Sequence, residues 1–158
     1  MNKGLRLGTA VAGMALVLGV AGMAVAQMAP PQIDTRQKAM KGNGAAAKTL
    51  TWIVKGETPW DQKAVIVAVT DINTTAKEIP SLFPKGSGPE SGAKTAALPA
   101  IWTDFPDFTA KAKALEEASG KMLQLAMAND EAGVKAQFPV VGKACGGCHE
   151  TYRAKPPQ

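Results

Sequence analysis

The chain has 158 residues, with 18 Lys and Arg against 13 Asp and Glu, two cysteines and one histidine. That length suits one domain with one core. The cations form no dense run and have almost no interleaved aromatics, which excludes a nucleic-acid surface and leaves a weak preference for acidic protein partners.

Residues 1–26 read as a secretory signal. Lys3 and Arg6 make the charged start, Leu7–Val25 carries no charge, and Ala24-Val25-Ala26 gives an A-x-A cleavage site before Gln27. A retained membrane anchor is the competing reading, since the uncharged run approaches the ~20 residues that span a bilayer. Gly8, Gly13, Gly19 and Gly22 leave it weakly helical and only moderately apolar, so cleavage is the expectation. Residues 27–158 then form a single domain, and loss of Lys3 and Arg6 takes the net charge from +5 to +3.

Four segments of helical period follow. In the first, Met40, Ala47, Leu50 and Val54 share a face, and Asp34 with Gln37 three residues later resembles a capping box. In the second, Trp60, Ala64, Val67, Ile72, Ala76 and Ile79 form a looser stripe, started by Thr58-Pro59 with Asp61 in the first turn. The helical period then stops. From Pro80 to about Thr103 runs an irregular crossover holding Pro80, Pro84, Gly86, Gly88, Pro89, Gly92 and Pro99, with Phe83, Leu98, Ile101 and Trp102 expected to pin it into the core.

The third segment starts after Asp104 and carries Phe105, Phe108, Ala112, Leu115, Ser119, Met122 and Ala126 on one stripe. The fourth starts at Asn129 or Asp130. In it Val134, Phe138, Val141, Cys145, Cys148 and Tyr152 step by 4, 3, 4, 3 and 4, which makes one inward seam. Pro139, inside that seam, is expected to kink the helix or mark its true start. No alternating run reads as a strand. The expected fold is all-α, an up-down-up-down antiparallel four-helix bundle.

Cys145-Gly146-Gly147-Cys148-His149 uses both cysteines and the only histidine. A C-x-x-C-H run attaches c-type haem: each thiol adds to a vinyl group and the imidazole ligates the iron. On a helix the three side chains project from one face, which the seam turns toward the core. One covalent haem c near the C-terminal helix is therefore expected and, for an exported chain, the bacterial periplasm. The competing readings explain less. A thioredoxin-like pair belongs in a βαβ setting, structural zinc needs about four ligands, and a disulfide leaves the histidine without a role.

The run Cys145-Gly-Gly-Cys-His149-Glu-Thr-Tyr152-Arg153, near the end of a four-helix chain, resembles class II cytochrome c, the group that contains cytochrome c prime. So does Arg36-Gln37-Lys38-Ala39-Met40-Lys41-Gly42-Asn43-Gly44, which is similar to that family's first helix. Leu82-Phe83-Pro84 and Leu98-Pro99-Ala100-Ile101-Trp102 resemble its crossover, and together the resemblance spans 33–155. It implies that the residue four after the arginine faces the distal side of the haem. Cytochrome c prime proper leaves that sixth site without a protein ligand, open to small gases, whereas low-spin relatives ligate it with methionine. The residue here is Met40.

Met40 is thus the expected second metal ligand with His149, although a flexible core methionine is the bland alternative and Met122 and Met127 compete for the role. Arg36, one turn before Met40, is either a haem-propionate partner or a solvated side chain. Arg153 lies near the haem edge by resemblance, or else serves as a helix C-terminal cation. Gly42, Gly44, Gly146 and Gly147 each cost a helix ~1 kcal/mol, and room for the flat macrocycle is the expected offset. Nothing resembles a nucleophile–base pair, a carboxylate dyad or a phosphate loop. The implied function is one-electron transfer, not enzymatic turnover, with a periplasmic redox protein or membrane electron-transport complex as partner and a homodimer suggested by resemblance. The alternative is a five-coordinate haem protein that binds nitric oxide or carbon monoxide, and a haem-free thiol-disulfide protein is a distant third.

Overall fold

The computed structural model describes Met1 and residues 31–155, so the signal read over residues 1–26 lies, Met1 aside, outside the described residues. The helices are α1 (Pro31–Val54), α2 (Gln62–Glu78), the single turn α3 (Ala100–Thr103), α4 (Phe105–Met127) and α5 (Glu131–Tyr152). Cross-links fix their directions. Gln62 Nε2, at the start of α2, donates to the Ala126 carbonyl at 3.0 Å, near the end of α4. Further along, Asn73 Nδ2 donates to the Glu116 carbonyl at 2.8 Å and to Ser119 Oγ at 3.0 Å. Gln137 Nε2 ties α5 back to α4 through the Ala118 carbonyl at 3.1 Å. Short turns join α1 to α2 and α4 to α5, and in the second Asn129 takes the left-handed conformation at φ 54°. The four long helices alternate in direction as an antiparallel bundle.

The third and fourth stripes fall where the period puts them. Phe108, Ala112, Leu115, Ser119, Met122 and Ala126 are buried on α4, and Val134, Val141 and Tyr152 on α5. Two stripes differ from expectation. On α2, Val67 is 55% exposed while Val65, Val69, Ile72 and Ala76 are buried. The unbroken apolar run Ala64–Val69 leaves the helical phase ambiguous, and the buried set steps by 4, 3 and 4. On α1 the solid core takes Ile33, Ala46, Leu50 and Ile53, while Met40 and Ala47 face a cavity beside it.

Caps also move. α1 already starts at Pro31, so Asp34 lies inside its first turn and Gln37 reaches the Lys94 carbonyl at 2.9 Å rather than closing a capping box. Asp61, not Thr58, caps α2, accepting from the Ala64 N–H at 3.0 Å. A carboxylate at that point also meets the positive end of the helix dipole. Asp104 caps α4 through the Asp107 N–H at 3.2 Å, and Asp130 caps α5 through the Gly133 N–H at 2.8 Å. Pro139 does not mark the start of α5, which runs from Glu131 through it. The ring stands on the exposed side, so the loss of its N–H bond falls on the solvated face.

The crossover is less irregular than its composition suggests. It contains 3₁₀ turns at Ile79–Leu82 and Pro89–Ser91, and α3. Phe83 and Ile101 are buried pins, Leu98 and Trp102 partly buried ones. Trp102 Nε1 donates to the Phe83 and Pro84 carbonyls at 3.1 and 3.0 Å. An isolated antiparallel bridge between Ala97 and Arg153 straps the crossover to the end of α5. α1 and α5 touch over a short stretch only, because the cavity lies between them.

Candidate haem site

The cavity has a volume of about 580 Å³, within the ~300–1,000 Å³ range of small-molecule and cofactor sites. Its walls are the first half of α1, the crossover, the first half of α4 and the last turns of α5. All six residues expected from the sequence line it: Cys145, Cys148 and His149 from α5, Arg153 just after its end, and Arg36 and Met40 from α1.

Cys145 and Cys148 are half-buried on one face of α5 and are not joined to each other as a disulfide. Burial pushes both up from the usual thiol value, Cys148 to about 11, with the Lys111 charge opposing the rise. They are therefore protonated at neutral pH, unlike the activated thiolate of a redox pair. His149 stands at the exposed rim. Partial burial, and then the nearby Arg153 charge, lower its imidazole below the usual value, which favours the neutral form that ligates metals. Among the described residues no group of three or more His, Cys, Asp or Glu is disposed to hold a metal ion by itself.

Among the described methionines, Met40 alone lines the cavity. Met122 is fully buried in the core and Met127 is 66% exposed. Arg36 is not a solvated side chain, as its composition class would suggest, but only 3% exposed. Its Nη1 donates to Ser87 Oγ at 2.9 Å, and its Nη2 to the Ser87 carbonyl at 2.7 Å and Thr95 Oγ1 at 2.9 Å. The guanidinium also lies 4.7 Å from the Phe83 ring centroid, a cation–π distance. Burial lowers its pKa and the Glu90 charge opposes this. Arg36 thus holds the crossover against α1 while forming part of the cavity wall.

The residues fit a haem on several observations. The two thiols and the imidazole open into one cavity of suitable size. Gly44 lines it with open space where a Cβ would sit, which leaves the backbone approachable by a flat group. Buried Asn43 Oδ1, also on the cavity wall, has no hydrogen-bond partner. The aromatic wall is continuous, with Phe83 edge-on to Phe108 at 4.9 Å and Phe108 edge-on to Tyr152 at 5.3 Å. Cys145, Cys148, His149 and Met40 are the residues that would hold the group.

Sequence reasoning missed Asn43, Phe108 and Lys111 as cavity residues, and missed the partners of Arg36. Asn43 was findable, since it lies three residues after Met40 and four before Ala47 on the same helical stripe. Ser87 and Thr95 carried no periodic signal.

Comparison with known proteins returns one family. The family model described as Cytochrome C' matches residues 31–153. A cytochrome c-556 from Agrobacterium tumefaciens (strain II Chrys) is 44% identical over 124 residues, which is 78% of this chain and 98% of that protein. Among solved structures, a variant of Rhodopseudomonas palustris cytochrome c prime is 35% identical with a TM-score of 0.73, covering 80% of this chain and all of that one. A nitric oxide complex of a cytochrome c prime variant from Alcaligenes xylosoxidans is 28% identical with a TM-score of 0.71, covering 79% and 94%.

Proposed function

The chain belongs to the Cytochrome C' family, and from that premise we propose that it carries single electrons on one covalent haem c with His149 and Met40 as axial ligands. The haem, when bound, supplies a one-electron ferric–ferrous couple. The chain attaches it through Cys145 and Cys148, excludes water with the Phe83, Phe108 and Tyr152 wall, and offers a soft, neutral thioether that favours the ferrous state. The observation that carries this reading is the position of Met40. It lies on the cavity wall four residues after buried Arg36, whereas Met122 and Met127 are turned away from the cavity.

The reading includes the periplasm, from the signal over residues 1–26, with a periplasmic redox protein or membrane electron-transport complex as partner. No described helix is long and apolar enough to cross a membrane. The reading is of a carrier and not an enzyme, supported by the family and by a cavity of cofactor size. A second reading, gas binding at an open sixth site, is favoured by the resemblance to the nitric oxide complex. The optical and EPR spectra of the mature ferric protein decide between them. Six-coordinate low spin supports electron transfer, and five-coordinate high spin supports gas binding.

A further inference from the structure

Asn43 stands on the cavity face of α1, between Met40 and Ala47. Its Oδ1 is the one side-chain oxygen or nitrogen among the described residues that is both buried and without a hydrogen-bond partner. A buried amide oxygen with no donor has given up its water for nothing, and native proteins seldom keep one unless the partner comes from outside the chain.

The local sequence points the same way. Gly42-Asn43-Gly44 puts three poor helix formers in the interior of a 24-residue helix. A Cβ on either glycine would meet nothing within 4 Å, so no protein atom requires glycine there. Departures from local preference of this kind gather at built sites. The polar neighbours are already satisfied: Arg36 on Ser87 and Thr95, and Gln37 on the Lys94 carbonyl.

The missing partner must be a donor. Ionised haem propionates and the Met40 thioether are acceptors. Lys41 also lines the cavity but is an exposed side chain two residues away on the helix, and it makes no hydrogen bond to Asn43. Lys111 lies 3.7 Å from Asp107 in a salt bridge. Water remains, and Gln37 and Thr95 add polar lining to the same cavity.

We propose that Asn43 holds an ordered water in the α1 half of the haem cavity, beside Met40. This rests on the haem reading, but not on whether Met40 ligates the iron. A fixed water dipole there stabilises the more highly charged ferric state and so lowers the reduction potential relative to a dry pocket. Asn43 is a positioning residue, acting through the water it holds.

The test uses the mature, haem-loaded protein. In D₂O, electron–nuclear double resonance on the unmutated ferric form should show an exchangeable deuteron near the iron in addition to that of the His149 imidazole N–D. Asn43→Leu should lose that additional coupling and raise the ferrous-to-ferric ratio about tenfold at fixed solution potential, a shift of about 59 mV for a one-electron couple. Asn43→Thr keeps a hydroxyl and should retain both properties. The proposal is overturned by the absence of the additional deuteron in the unmutated protein, by an unmoved midpoint in Asn43→Leu, or by Asn43→Thr shifting as far as Asn43→Leu. Should Asn43→Leu fail to fold, the unmutated protein and Asn43→Thr still decide. Protein without covalent haem overturns the underlying haem reading, and a pyridine haemochrome spectrum reports that separately.

Discussion

The Tyr152 hydroxyl donates to Asp107 Oδ2 at 2.6 Å, joining the last turn of α5 to the first turn of α4. Tyr152 is also buried and edge-on to Phe108, so one side chain closes the cavity wall and ties together two helices that line it. Residues 96–98 pair with this same end of α5 through the Tyr152 carbonyl and the Ala154 N–H.

That bond has a pH signature. The hydrogen bond to Asp107, with burial adding to it, raises the Tyr152 phenol above its ordinary value of 10.0. Above pH 10 the unfolded chain ionises first, so this contribution to stability is complete below pH 10 and lost as pH rises through the folded value. Tyr152 is the chain's single tyrosine, and its ¹³Cζ resonance therefore reports the titration without overlap. The signal should stay at the neutral-phenol shift well past pH 10. Asp107→Asn should bring the midpoint back toward 10 and cost about 1 kcal/mol. A midpoint that ignores this substitution would contradict the assigned cause.

Attachment is tested by the thiols. Mature protein made with a haem-maturation system should keep its haem through denaturation and acid–acetone extraction, with the mass of one haem. Cys145→Ser with Cys148→Ser should lose covalent haem and much of its stability, because the cofactor fills the centre of a small core. Haem that extracts freely from the unmutated protein would rule attachment out.

Arg36 separates a structural role from a cofactor role. Replacement by Leu leaves the Ser87 carbonyl and Thr95 Oγ1 without their donor and removes the cation from the Phe83 face. A hydrogen bond to a charged group is worth about 1.5–3 kcal/mol, and denaturant melts should show a loss of that order. Proteolysis should move into the 84–96 crossover while haem stays attached. An arginine acting on the propionates alone would instead change the reduction potential and leave the melt in place.

The bundle was legible in the sequence because helical period and apolar burial are the same fact on α4 and the last part of α5. Phe108, Ala112, Leu115, Ser119, Met122 and Ala126 on α4, and Val134, Val141 and Tyr152 on α5, are buried at helical spacing. α2 was not legible, since six consecutive apolar residues, Ala64–Val69, fit more than one helical phase. The caps of α1 and α2 were misread because Thr58, Asp61 and Asp34 all have capping chemistry, and chain geometry, not composition, chooses among them. For the site, C-x-x-C-H and the α5 seam gave Cys145, Cys148 and His149, but the second wall needed a fold. No spacing rule ties residue 36 to residues 87 and 95. The contacts form only once the crossover folds over α1, and that makes a cation a buried strut.

Met40 decides which chemistry the cavity performs. With its sulfur as sixth ligand, Met40→Ala should keep the haem, since Cys145, Cys148 and His149 remain. The iron should become high spin or bind water, and the midpoint should fall with loss of the soft ligand. Carbon monoxide and nitric oxide should then bind faster than in the parent. A methionine that only packs behaves otherwise. Its truncation would cost about 2–5 kcal/mol of stability and leave the spin state alone. Because Met40 is partly buried on the cavity wall and not in the solid core, a small stability loss with a large spectral change is the expected pattern. Unchanged low-spin spectra in Met40→Ala would assign the sixth site to another ligand. High-spin spectra in the unmutated protein would favour gas binding.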